Sequence, residues 1–246
     1  MGSPYARGVT PPLPADRTDP TDPAANRTAP ELLPEAALGW LHVDEALIAV
    51  CKPSGLLSVP GRGPDKADCV ASRVMARYPD ARVVHRLDMG TSGVMLFARG
   101  LAMQQALSRA FETRQVDKRY QAVVAGTVDA DAGHVDLPLA CDWPNRPRQQ
   151  VDRSRGKPAW TDWQVLSRDG AGATATTRLR LMPRTGRSHQ LRVHLQALGH
   201  PILGDELYAP PEVVALAPRL LLHAEFLALR HPLNDRPWEV HAPVTF

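Results

Sequence analysis

The chain has 246 residues, of which 43% are apolar and 22% charged, the balance of a globular protein with a sizeable core. No run of about 18 apolar residues occurs, which excludes a membrane-spanning helix, and the N-terminus lacks the apolar stretch of a secretory signal. Cys51, Cys69 and Cys141 stand far apart with no C-x-x-C pair, so neither a disulfide framework nor a zinc–cysteine site has support, and a reducing cytoplasm is expected. The net charge is +3, unevenly spread: residues 1–35 carry −2 and the other 211 carry +5. Arginine supplies 25 of the 29 basic residues. Its planar fork suits phosphates and stacked bases, although genome composition alone can also raise arginine content.

Residues 1–35 hold eight of the 24 prolines and no apolar periodicity, which reads as a disordered tail ahead of a single body over 36–246. Residues 40–50 read as two short strands around an Asp44-Glu45 turn, closed by Lys52-Pro53-Ser54-Gly55. Residues 69–78 read as a helix stopped by Pro79, 82–84 as a strand, and 94–98 as a buried strand. Between the last two lies the polar connector 85–93. Residues 101–114 place Met103, Leu107, Ala110 and Phe111 on one helical stripe. Residues 120–126 read as a strand, and 175–182 alternate cleanly. Ser188 reads as the N-cap of a helix to Leu198 with Leu191, Leu195 and Leu198 on one face. Further strands are expected at 220–223, 226–229 and 238–241. Strands outnumber helices without alternating with them, which predicts an α+β fold with a large mixed, mostly antiparallel sheet.

A polar loop between buried strands is where chemistry tends to sit. Asp88 is the only carboxylate of the connector, and is either a turn aspartate bonded to nearby amides or a nucleophile or base held by a cation. A second cluster runs from Arg184 to His194. His189, Arg192 and Gln196 share a helix face there, either solvated or functional. A buried Arg192 would need a carboxylate partner, for which Asp88 is a candidate. Tyr120, within Lys118-Arg119-Tyr120, could be an ordinary strand aromatic. Residues 145–157 carry five basic groups against one acid. With Trp143, Trp160 and Trp163 nearby, this run is either a solvated loop or a track for a phosphate backbone beside stacking surfaces. His189 and His194 lack the H-E-x-x-H spacing. Gly90-Thr91-Ser92-Gly93 is not a hydrolase elbow, and no complete dinucleotide or P-loop fingerprint occurs. Neither a metal nor a cofactor is therefore expected.

Taken together the motifs say more. His85-Arg86-Leu87-Asp88 followed by Thr91-Ser92-Gly93 resembles the signature of the RluA family of pseudouridine synthases. Lys118 to Ala122 is similar to that family's tyrosine motif. Gly186 to His194, with Gly199-His200-Pro201-Ile202-Leu203-Gly204-Asp205, is similar to its arginine motif, and Leu221-Leu222-His223-Ala224 to its late strand. The order and spacing agree over residues 40–246. Segments 51–61 and 141–147 resemble the dual-specificity members, which act on an anticodon-loop uridine of some tRNAs and on a hairpin of 23S rRNA.

The resemblance implies a pseudouridine synthase fold with flanking helices and a central cleft. The S4 RNA-binding domain of other members is not expected, since only about 35 proline-rich residues precede the body. Asp88 would be the nucleophile, with Arg192 ion-paired to it and Tyr120 stacked on the flipped uracil. Arg86 would fill the gap left in the RNA, and Leu222 would wall the pocket. His85, Arg187, His189, Arg146 and Arg148 would line the RNA path. The implied partner is structured RNA, a tRNA anticodon stem–loop or a 23S rRNA hairpin, bound by a monomer without a cofactor. The alternatives are a relative specific for one RNA site, a non-catalytic RNA-binding or chaperone protein, and a carboxylate glycosidase, which would need a second acid.

Overall fold

The structure, a computed structural model, describes residues 38–246. The proline-rich segment expected to be a tail, 1–35, lies outside the described residues. The first hairpin is β1 (Gly39–Val43) and β2 (Leu47–Lys52). Its turn forms because Asp44 Oδ1 accepts from the amides of Ala46 and Leu47 at 2.7 and 2.9 Å. Helix α1 (Val70–Arg77) starts at Cys69, where Cys69 and Ser72 cap each other reciprocally, and ends before Pro79. Strands β3 (Ala81–Val83) and β4 (Ser92–Arg99) flank the polar connector, and α2 (Gly100–Glu112) follows.

After β5 (Asp117–Ala125) comes a region in which no strands were expected: β6 (Ala132–Asp136), β7 (Leu139–Cys141), β8 (Gln149–Val151) and β9 (Trp160–Asp169). Its strands are short or polar on one face, and a basic loop interrupts them. Trp163, one of the tryptophans offered as a stacking surface if the basic run tracks a phosphate backbone, is instead buried in the core. The chain continues through β10 (Thr176–Pro183), α3 (Gln190–Ala197), the one-turn helix α4 (Pro211–Val214), β11 (Leu222–Arg230) and β12 (Pro237–His241). β11 is one strand where two were expected. Its register against β5 shifts between Ala224 and Phe226, a bulge at the polar Glu225 that breaks the apolar pattern without ending the strand.

Ten strands form one sheet in the order β1-β2-β4-β11-β5-β10-β9-β6, with β3 beside β4 and β12 beside β11, while β7 and β8 pair separately. Every contact in the large sheet is antiparallel except β4 with β11. That parallel contact lasts two residue pairs, Ser92 with His223 and Gly93 with Ala224, before the strands part. Gly93 sits there at φ 111°, and a Cβ would overlap the Ala224 carbonyl and lie 2.6 Å from its nitrogen. Only glycine admits so close an approach.

Both faces of the sheet are covered around β2 and β4. Ile48, Val50, Met95 and Phe97 pack with Val70 and Val74 of α1, while Leu47, Ala49, Val94 and Leu96 pack with Leu107 of α2. This two-sided burial is why those strands read as continuous apolar runs. Leu191 and Leu195 of α3 pack on Ala122, Leu179 and Leu181. No helix among the described residues is long and apolar enough to cross a membrane.

Candidate active site

The connector between β3 and β4 is held by the turn after β2. Lys52 Nζ donates to the carbonyls of Pro53 and Met89 at 2.9 and 2.8 Å, and the Gly55 amide also donates to Met89 O at 2.9 Å. Ser54 Oγ donates to Gly90 O at 2.7 Å, and Ser58 Oγ donates to Leu87 O at 2.6 Å while accepting from Leu87 N at 3.0 Å. The Thr91 amide closes the turn on Asp88 O at 3.1 Å. The backbone on both sides of Asp88 is thus tied down while its carboxylate stays partly open to solvent. Lys52 is fully buried, which drives its pKa down to about 7 against the opposing pull of the Asp88 charge.

The opposite wall is the 184–189 loop and the start of α3. Gln190, buried, uses its whole amide to brace this loop. Its Oε1 accepts from Thr185 Oγ1 and Arg187 N at 2.7 and 3.0 Å, and its Nε2 donates to Trp160 O and Thr161 Oγ1, both at 3.0 Å. The residue before α3 is His189 at φ 53°, with no side-chain cap, so Ser188 is not the N-cap expected of it. A non-glycine residue in this region is strained by about 1 kcal/mol. Gln196 is exposed and outside the site.

Arg192 is buried, and its tight partner is Asp205 rather than Asp88. Its Nε and Nη2 donate to the two Asp205 oxygens at 2.8 and 2.6 Å. Arg192 Nη1 lies 3.6 Å from Asp88 Oδ2, and His189 Nε2 lies 3.9 Å from Asp88 Oδ1. The carboxylate is therefore flanked on each oxygen but clamped by neither group.

Asp88, Tyr120, Arg192 and Leu222 line one cavity of about 110 Å³, together with Arg86, Lys118, Thr185, Arg187 and His189. It opens into a groove of about 830 Å³ that also takes in His85, Met89 and Pro147. Burial, and then the Asp88 charge, push the Tyr120 phenol above its ordinary value. Burial lowers the pKa of Lys118. Arg86 is exposed at the mouth. His85 faces the groove but has internal ties: its Nε2 accepts from Leu96 N at 2.8 Å, and its ring stacks on Phe111 at 4.7 Å. Burial, with Lys118 nearby, pushes its pKa down to about 3.

Beyond the groove, Arg146 lies over the exposed Trp143 ring at 4.7 Å, and Arg148 over Tyr208 at 5.5 Å. Arg187 Nε donates to Pro158 O at 3.1 Å. Among the described residues no three His, Cys, Asp or Glu side chains group as metal ligands would.

Lys52, Lys118, Asp205 and Tyr208 are among the residues of the site to which the sequence assigned no role. Asp205 ends the Gly199–Asp205 motif and Lys118 begins the tyrosine motif, so both stood beside usable signals. Lys52 lies in the 51–61 segment but, like Tyr208, draws its importance from a distant partner, 37 residues away for Lys52 and 19 for Tyr208.

Comparison with known proteins agrees with this geometry. The family described as RNA pseudouridylate synthase matches residues 46–197. A protein of Pasteurella multocida (strain Pm70) named dual-specificity RNA pseudouridine synthase RluA is 49% identical over 229 residues, 93% of this chain and 97% of its own. The protein of that name from Escherichia coli (strain K12) is 52% identical over 206 residues, 84% of this chain and 93% of its own. The solved structure of human RNA pseudouridylate synthase domain containing 1 superposes with a TM-score of 0.70 at 28% identity, covering 87% of this chain and 86% of its own. With its sheet, its cleft and these relatives in agreement, the chain belongs to the RNA pseudouridylate synthase family, enzymes that isomerise uridine to pseudouridine in RNA.

Proposed function

We propose that this RNA uridine isomerase uses Asp88 as its nucleophile, on an anticodon-loop uridine of tRNA and on a hairpin uridine of 23S rRNA. The observation that carries the first part is the make-up of the 110 Å³ cavity, where Asp88 is the sole carboxylate among the lining residues. A target uridine must leave its stack to enter, at a cost of a few kcal/mol that is smallest in a loop. Arg86, exposed at the mouth, would occupy the vacated stack with its planar guanidinium.

Inside, Asp88 would attack the nucleotide and the N1–C1′ bond would break. The uracil would then rotate, C5 would bond to C1′ with release of the bond to Asp88, and the C5 proton would pass to solvent while N1 takes one up in its place. Arg192 faces Asp88 from one side with its third guanidinium nitrogen. Tyr120 packs on the uracil as a neutral phenol, since a raised pKa makes it a poor base near neutral pH. Leu222 walls the pocket. Arg146 and Arg148 would meet the RNA outside it, Arg187 and His189 stand in its lining, and His85 would brace the Asp88 loop from the groove. No cofactor is needed, because the isomerisation is redox-neutral and leaves the composition of the nucleotide unchanged. The dual substrate reading is supported by relatives of that name at 49 to 54% identity. The reading includes a cytoplasmic monomer acting where the RNA is.

The test is tritium release from RNA labelled at uracil C5, comparing an anticodon stem–loop with a 23S rRNA hairpin for the natural chain and Asp88→Asn. Release from both RNAs by the natural chain, abolished in the variant with RNA affinity within a few fold, is expected. Turnover by Asp88→Asn would overturn the nucleophile. Release from one RNA alone would reduce the enzyme to single specificity.

A further inference from the structure

We propose that His189, fixed in one tautomer by the Tyr208 hydroxyl, is a positioning residue that sets the orientation of the Asp88 carboxylate. This rests on the reading of Asp88 as the nucleophile. The Tyr208 hydroxyl is buried, accepts from the Gln149 amide at 2.8 Å, and lies 2.6 Å from His189 Nδ1. Among the described residues, Nδ1 is the one acceptor within hydrogen-bond reach of the phenol proton. A buried hydroxyl keeps its proton paired, so Nδ1 accepts and the ring proton sits on Nε2. That N–H faces Asp88 Oδ1 across 3.9 Å, a gap that a small side-chain rotation closes when substrate enters.

The charged groups around the ring agree with a neutral imidazole that donates. Burial lowers its proton affinity, Asp88 opposes this, Arg192 adds to it, and Asp205 opposes it again. A neutral donor orients a carboxylate without taking over its charge, as an imidazolium would. Arg192 then addresses Oδ2 and His189 addresses Oδ1, which fixes the plane of the carboxylate and the direction of its free lone pairs. The left-handed backbone at φ 53° aims the side chain at Asp88, in a conformation that Asn would adopt more readily than His.

The experiment measures kcat and KM by tritium release for His189→Ala, His189→Gln, His189→Asn and Tyr208→Phe, with the 15N shifts of the His189 ring recorded in the natural chain and in Tyr208→Phe. Gln carries an N–H near the Nε2 position, whereas Asn carries one near Nδ1 and relieves the backbone. The expected result is a kcat loss on the order of tenfold for Ala and Asn with KM within about twofold, and substantial recovery in Gln. The natural chain should show a single Nε2–H tautomer, and Tyr208→Phe a mixture. Asn matching or exceeding Gln, a change confined to KM, or an Nδ1–H tautomer in the natural chain would overturn the proposal. The NMR arm decides even if the His189 variants do not fold. If the natural chain releases no tritium, or releases it independently of Asp88, the nucleophile reading fails instead.

Discussion

Asp205 takes two of the three guanidinium nitrogens of Arg192, at 2.8 and 2.6 Å, and leaves the third facing Asp88 at 3.6 Å. Asp205 is itself locked, accepting from the amides of Leu207 and Tyr208 at 3.1 and 3.2 Å. The carboxylate that compensates the buried arginine is therefore a structural one, and Asp88 remains available for chemistry. Asp205→Asn should leave an uncompensated buried charge and cost about 3–5 kcal/mol of stability. It should also lower kcat by letting the third nitrogen wander. Urea denaturation checks the first effect and tritium release the second; unchanged stability would mean that Asp88 compensates Arg192 alone.

Gly93 stands where β4 and β11 touch, one turn after Asp88. Gly93→Ala would place a methyl group against the Ala224 backbone at a φ of 111° that alanine resists. The two strands would have to part, and the connector would shift with them. A loss of at least about 3 kcal/mol is expected, with kcat falling further than overall stability predicts. A fully active, fully stable variant would show that this junction does not position Asp88.

Asp88 and Arg192 also show how far the sequence could be read. Asp88, Tyr120 and Arg192 were recognisable because each lies in a local motif, and the cavity does bring all three together. The strands β2, β4, β5 and β10 were recognisable because a period of two, or an unbroken apolar run, records burial directly. The pairing of Arg192 with Asp205 was not. Residues 13 apart on a helix and the loop after it carry no periodic signal, and Asp88 was an equally reasonable partner on chemistry alone. The strands between 127 and 174 were missed for a related reason. β7 and β8 are three residues each, held by cross-strand partners rather than by propensity.

The β7–β8 hairpin presents Trp143 and Arg146 to solvent, with Arg148 at its base over Tyr208. On the proposed function these arginines meet RNA phosphates, so their removal should weaken binding by a salt-dependent amount. Arg146→Ala with Arg148→Ala should flatten the slope of log affinity against log salt concentration by about 1 to 2 units. The kcat of bound RNA should change little for Arg146→Ala alone, since that side chain stands outside the cavity. Filter binding across a salt series measures the slope. An unchanged slope would remove the hairpin from the RNA path.

Outside the lining of the cavity, Asp44 joins two turns. Its Oδ2 accepts from His42 Nε2 at 2.7 Å and His231 Nε2 at 3.0 Å, while Oδ1 holds the β1–β2 turn. His231 belongs to the β11–β12 turn, so one carboxylate ties the ends of two hairpins. Burial pushes the Asp44 pKa up, but the hydrogen bonds from His42, Leu47, Ala46 and His231 outweigh it and hold the group well below the ordinary 3.8. A carboxylate whose folded value is depressed stabilises the fold above its unfolded pKa, and that contribution drains away as pH falls toward the folded value. Asp44→Ala should therefore cost about 2 kcal/mol near neutral pH. The gap to the natural chain should shrink at each step below about pH 4, by up to ~1.4 kcal/mol per unit. Urea denaturation at a series of pH values measures it, and a gap that stays constant down to about pH 2 would show that the charge of Asp44 contributes nothing.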